Sequence, residues 1–88
     1  MAAEFNFKIL TPNRKALDES VVSIVAPGEA GYLGVLANHA PLITTLKRGT
    51  LTVKFEDGRE DEYEISGGIL KVAKNEAILL TESIDISE

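Results

Sequence analysis

A lone histidine, a glycine series and a run of acids are the residues whose types and spacing bear on chemistry. Gly28, Gly31 and Gly34 recur at a spacing of three, and His39 follows within Asn38-His39-Ala40-Pro41. Glycine-rich loops cradle phosphates when a helix N-terminus behind them points at the anion. This spacing is not the dinucleotide fingerprint, no helical pattern follows, and Glu29 would repel an anion, so the series reads as a tight structural loop over residues 27–51. His39 has no second histidine and no cysteine with which to build a zinc site. It stands either as a packing and hydrogen-bonding residue or as a general base. The second role needs a pocket and an acid partner that the sequence does not place. No nucleophile lies in an activating motif. The expectation is a chain without catalytic residues, metal ligands or a cofactor, an interaction module rather than an enzyme.

Two further features have two readings each. Glu56, Asp57, Glu60, Asp61, Glu62 and Glu64 crowd one segment in which Arg59 is the one base. They form either a solvated hairpin face that resists edge-to-edge aggregation or a docking patch for a basic partner. Leu33, Val35, Leu36, Leu42 and Ile43 put aliphatics in or beside the glycine loop, where they either fill the core or form a protein-binding surface.

The elements that must position these residues come from a chain of 88 residues, enough for one domain with a single core. Without cysteine, apolar packing carries the fold, and the 44% hydrophobic fraction with two tyrosines and three phenylalanines suits an aliphatic core. A formal charge of -5 repels phosphate backbones, so nucleic acid is not the expected partner. The N-terminus Met-Ala-Ala-Glu-Phe-Asn-Phe has neither signal-peptide nor transit-peptide character, and no apolar run approaches the roughly 20 residues of a membrane span. A soluble, cytoplasmic chain is expected, with no direct membrane insertion.

Phe5, Phe7 and Ile9 alternate with Asn6 and Lys8 over 4–11, the period of a half-buried strand, and Thr11-Pro12-Asn13-Arg14 breaks it. The β-branched run within 15–26 predicts a strand buried partly on both faces, ended by the glycine loop. Strands follow at 42–46, 50–55 and 59–66, the last two joined by the hairpin signal Asp57-Gly58. Ser66-Gly67-Gly68 predicts a joint where the chain crosses between sheets, and Lys74-Asn75-Glu76 a turn between strands at 69–73 and 77–81. The tail 82–88 predicts a short edge strand or a frayed end. About eight to ten strands and no helical period make the fold all-β: a flattened antiparallel β-sandwich or barrel, one domain over 1–88.

The run from Val25 to Leu42, then Leu46-Lys47-Arg48-Gly49 and Ser66-Gly67-Gly68-Ile69-Leu70-Lys71-Val72, resembles the N-terminal domain of the epsilon subunit of F-type ATP synthases. The match extends over essentially the whole chain and rests on the ordered combination of Gly-x-x-Gly, His-Ala-Pro-Leu and Ser-Gly-Gly. The resemblance implies a ten-stranded sandwich in the rotor's central stalk, packed on the gamma subunit. Its glycine and His-Ala-Pro loops, together at one end, meet the c-subunit ring. It places Glu29, Ala30, Tyr32 and His39 on the c-ring side and Thr11, Leu42, Thr44 and Ser66 on the gamma side. It also implies a peripheral position on the cytoplasmic face of the bacterial inner membrane, with catalysis left to other subunits. Tyr32 stands where the family commonly carries an acid, which replaces an ionic contact by an aromatic one. The family usually continues into a two-helix C-terminal domain, associated with inhibiting ATP hydrolysis and in some members with binding ATP. This chain stops at Glu88 and is expected to lack both properties. The alternative from another class is a free-standing β-sandwich adaptor that binds a basic partner through its acidic hairpin.

Overall fold

Phe5, Phe7 and Ile9 are buried and Asn6, Lys8 and Leu10 only half-buried, as a period of two requires of β1 (Phe5–Leu10). This computed structural model describes residues 3–86; the ends of the expected 1–88 domain and of the 82–88 tail lie outside the described residues. Ten strands organise them. β2 (Lys15–Val21), β3 (Ser23–Gly28), β4 (Gly31–Leu36) and β5 (Leu42–Leu46) follow β1. β6 (Gly49–Lys54), β7 (Glu60–Ile65), β8 (Gly68–Ala73), β9 (Glu76–Leu80) and β10 (Ile84–Ile86) complete the order. There is no helix among the described residues.

The strands form one hydrogen-bonded ladder in the order β10-β7-β6-β3-β5-β8-β9-β1-β2, with β4 attached to β3. β3 and β5 share a single residue pair, Gly28 with Leu46. The ladder folds over there into two five-stranded halves, β10-β7-β6-β3-β4 and β5-β8-β9-β1-β2. Their facing sides supply the core: Phe7 and Ile9 from β1, Ile24 from β3, Leu51 and Val53 from β6, Leu70 from β8 and Leu79 from β9, all at 0% exposure. The sandwich expected from the strand count is what forms.

Three details differ from the sequence reading. The 15–26 segment is two strands rather than one. Val21 and Ile24 are both fully buried, yet residues three apart face opposite sides of a continuous strand. The chain leaves one half for the other at Val22, whose N–H bonds Lys54 O at 2.8 Å, so both side chains reach the same core. Second, part of the glycine loop is β4. Only Glu29 and Ala30 form the turn, and Tyr32, Leu33, Val35 and Leu36 continue as a strand in register with β3. The glycines obscured a strand that aromatic and aliphatic neighbours support. Third, β1 and β9 pair in parallel while every other strand pair is antiparallel.

The joint at 66–68 is where expected, carrying the chain from β7 in one half to β8 in the other. Gly68 has φ +144°, and a Cβ there would overlap the Leu80 carbonyl oxygen, so no other residue fits. The Asp57-Gly58 hairpin also forms. Gly58 N–H bonds Phe55 O at 3.1 Å, and the Asp57 carboxylate accepts from Arg59 N–H at 2.9 Å.

Candidate partner-binding surface

The outer face of the second half is built by strand register. Ile43 pairs with Lys71, which pairs with Ile78, which pairs with Lys8. The next row is Thr45, Ile69, Leu80 and Leu10. Side chains that pair across strands share a face, so Ile43, Ile69 and Leu80 stand together with no layer over them, at 71%, 45% and 48% exposure. Lys8 and Lys71 are the cations among them. Burying such a band against a partner is favourable at about 25 cal/mol per Å² of apolar surface. Beside it, a cleft of about 460 Å³ is lined by Leu10, Thr11, Pro12, the Ser66–Ile69 joint and Leu80–Glu82.

Of the residues expected on the gamma side, Thr11 and Ser66 both line this cleft. Each is also held locally. The Thr11 hydroxyl donates to Arg14 O at 3.1 Å and accepts from Arg14 N–H at 3.3 Å, closing the β1–β2 turn. The Ser66 hydroxyl accepts from Ser83 N–H at 3.2 Å and lies 3.5 Å from the hydroxyl of buried Thr81. Leu42 and Thr44 pair with the buried Val72 and Leu70, so they lie on the core side of β5, half-buried. The exposed residues of that strand are their neighbours Ile43 and Thr45. Ile43, Ile69 and Leu80 as one surface escaped the sequence reading, because only the register of β5, β8 and β9 shows that they adjoin.

Of the c-ring candidates, Glu29 and Ala30 are exposed at the tip of the β3–β4 hairpin, and Tyr32 follows two residues along β4. The tyrosine hydroxyl reaches over Gly49, 3.4 Å from where a Cβ would stand. His39 is elsewhere. It follows the other end of β4, and six residues at about 3.3 Å each put it roughly 20 Å from the hairpin tip. Asn75 fixes it at that end. Its side chain accepts from Asn38 N–H at 2.8 Å and donates to Glu4 O at 2.9 Å, tying this loop to the β8–β9 turn and the start of the chain. His39 Nδ1 lies 2.7 Å from Ala40 O, a local contact. The glycine and His-Ala-Pro segments, expected together at one end, are at opposite ends because β4 runs between them as an extended strand.

Most of the acidic segment is engaged within the chain. Arg59 bonds Glu19 at 3.2 Å, lies 3.9 Å from Asp61 and stacks 3.9 Å over the Phe55 ring. Lys54 lies 4.0 Å from Glu60, and the Thr50 hydroxyl donates to Glu64 at 2.6 Å. No group of three or more acid, histidine or cysteine side chains that could hold a metal occurs among the described residues.

The family model for the ATP synthase delta/epsilon chain β-sandwich domain matches residues 4–86. The chain belongs to the ATP synthase delta/epsilon family. Similar relatives include the ATP synthase epsilon chain of Moorella thermoacetica, 41% identical over 86 residues, covering 98% of this chain and 64% of the relative. The epsilon chain of Brucella anthropi is 40% identical over 83 residues, covering 94% and 62%. The chain thus spans somewhat less than two thirds of these curated relatives. Among solved structures, a chain in the Euglena gracilis mitochondrial ATP synthase, resolved as OSCP/F1/c-ring in rotational state 1, superposes with TM-score 0.92 at 28% identity. That match covers 98% of this chain and 55% of the other. A chain of the Tetrahymena thermophila mitochondrial ATP synthase central stalk and c-ring shares the fold, with TM-score 0.80 at 15% identity over 96% of this chain and 67% of that one. The delta/epsilon sandwich therefore accounts for nearly every described residue, and no helix among them is long and apolar enough to cross a membrane.

Proposed function

We infer that the chain is a non-catalytic central-stalk subunit of the F-type ATP synthase, joining the gamma subunit to the c-ring and coupling proton-driven rotation to ATP synthesis. The observation that carries this reading is the family match across 4–86, with relatives named as ATP synthase epsilon chains. It implies a peripheral position on the cytoplasmic face of the bacterial inner membrane, held there by partners. The surface supports it. The apolar band of Ile43, Ile69 and Leu80 suits a protein partner, and we assign it, with Thr11 and Ser66 in the adjoining cleft, to gamma; Leu42 and Thr44, on the core side of β5, are not part of that face. An interface that bears torque needs standard size or more, about 800 Å² per partner.

The c-ring contact is assigned to Glu29, Ala30 and Tyr32 at the hairpin tip. His39, at the far end of β4, is a separate contact. Tyr32→Ala should lower proton-driven ATP synthesis in reconstituted complexes while the free domain keeps its stability; synthesis at the unsubstituted rate would reject the ring assignment. His39→Ala in the same assay tells whether the opposite end also meets a partner.

The deciding experiment is calorimetric titration of purified gamma subunit from the same source, with size exclusion for stoichiometry. One-to-one binding at submicromolar affinity is expected. No complex between folded partners would overturn the stalk assignment for this sandwich acting alone. The adaptor reading predicts instead a salt-sensitive partner lost on neutralising Glu60, Asp61 and Glu62. The internal pairing of Glu60 and Asp61 leaves that patch weaker than its composition suggests.

A further inference from the structure

β4 has one partner, β3, and its far edge is unpaired among the described residues. Which groups face outward follows from the register. Pro27 pairs with Tyr32 and turns its carbonyl away from β4 to accept from Lys47 N–H at 2.9 Å. Tyr32 therefore turns its own N–H and C=O away from β3, and Gly34 and Leu36, two and four residues on, do the same. Open edges are normally blunted by charge, proline or a bulge. The strands at the two ends of the ladder follow that rule, with Lys15, Asp18 and Glu19 on β2 and Asp85 on β10. β4, Gly-Tyr-Leu-Gly-Val-Leu, carries no charge and no proline, and exposes Tyr32 at 61% and Leu36 at 65%.

Gly34 is a second, independent observation. Its φ lies outside the left-handed region, and a Cβ there would meet nothing closer than Ile24 O at 3.9 Å. The chain's own fold does not require glycine at this position. A glycine inside a strand that its own fold does not require often marks a place where another backbone approaches closely.

We propose that the free chain pairs with a second copy of itself, β4 against β4 in antiparallel register about Gly34. The outward-facing residues are symmetric about that glycine. A two-fold axis there sets Gly34 opposite Gly34, and Tyr32 opposite Leu36 twice, giving two aromatic-aliphatic cross-strand pairs on one face. The β10-β7-β6-β3-β4 halves of the two copies become one ten-stranded sheet. Charge permits it. The acids of β7 lie three strands from β4, about 14 Å at the usual strand spacing. In the dimer they stand well beyond a Debye length of about 8 Å from their counterparts. The pairing covers only one short strand per copy, less than the roughly 800 Å² of a standard interface, so the dimer is weak and concentration-dependent. Self-pairing occupies Tyr32, so it competes with the ring contact assigned above and belongs to the chain before assembly.

Sedimentation velocity of the 9.5 kDa chain from about 5 to 500 μM, with amide hydrogen exchange at both extremes, tests this. The weight-average mass should rise toward twice the monomer, with slowed exchange at Tyr32, Gly34 and Leu36. Leu36→Lys removes both aliphatic partners of Tyr32 and puts a charged side chain on the open edge without touching the core, and should shift the midpoint at least tenfold upward. Gly34→Pro removes the central outward N–H and should abolish dimerisation, circular dichroism serving as the check on folding. A monomer at every concentration overturns the proposal. So does a dimer that Leu36→Lys leaves unchanged, or one whose exchange protection falls outside β4.

Discussion

Single residues carry the strictest requirements. Gly68 holds a left-handed φ against the Leu80 carbonyl, so Gly68→Ala adds both backbone strain and a steric clash at the point where the halves join. Each such strain costs roughly 1–3 kcal/mol. Loss of about 3 kcal/mol or more is expected in urea denaturation. Tyr63 contributes to the pH dependence of stability on the alkaline side. Its half-buried hydroxyl donates to Asp61 at 3.4 Å; burial first, then the Asp61 charge and this bond, raise its pKa above the ordinary value of 10.0. The folded state holds the proton longer than the unfolded state. The resulting stabilisation is complete below the unfolded pKa of about 10 and is lost as pH rises through the folded pKa. Urea midpoints at pH 9 and 11 should differ less in Tyr63→Phe than in the unsubstituted chain. An equal decline would show that another group is responsible.

At the scale of elements, the margins of the sandwich need closing, and they are closed differently. Arg59, after the β6–β7 turn, reaches Glu19 on the edge strand β2 and stacks on Phe55, linking the two halves where no ladder joins them. Both groups are about half exposed, so the ion pair is screened and worth no more than about 1 kcal/mol, with a similar contribution from the stack. Arg59→Ala should therefore cost about 1 kcal/mol, and 1 M salt should remove only part of the difference in thermal unfolding, because the packing over Phe55 is not screened. β1 shows why local pattern does not select a pairing partner. Its alternation is equally good for antiparallel β2 and parallel β9, and it takes one on each side.

At the scale of the whole molecule, one face is spent on the core and the opposite face of the second half is left apolar. Ile43 and Leu80 contact solvent, so replacing both with serine should change stability by no more than about 1 kcal/mol. The same double substitution should weaken gamma binding at least tenfold in calorimetry. Unchanged affinity would move the interface off this face. The same scale explains how much could be read beforehand. Alternation, turn residues and the absence of helical period lead to an all-β sandwich because they act within a few residues of one another. Asp57-Gly58, Ser66-Gly67-Gly68 and Lys74-Asn75 lie at chain reversals or crossings for that reason. The family motifs from Val25 to Val72 likewise identify the family without coordinates.

Which residues meet one another belongs to the tertiary structure. The separation of Glu29 from His39, the break at Val22, the turning of Leu42 and Thr44 inward and the assembly of Ile43, Ile69 and Leu80 on one face each depend on long-range register. Register is a relation between strands distant in sequence, and a shift of one residue exchanges the buried and exposed faces of a strand. The sequence by itself determined a cysteine-free β-sandwich, its Asp57-Gly58 hairpin and Ser66-Gly67-Gly68 joint, and its family membership. Only the packed ladder decided which of its side chains became core, which became surface, and which edge was left open.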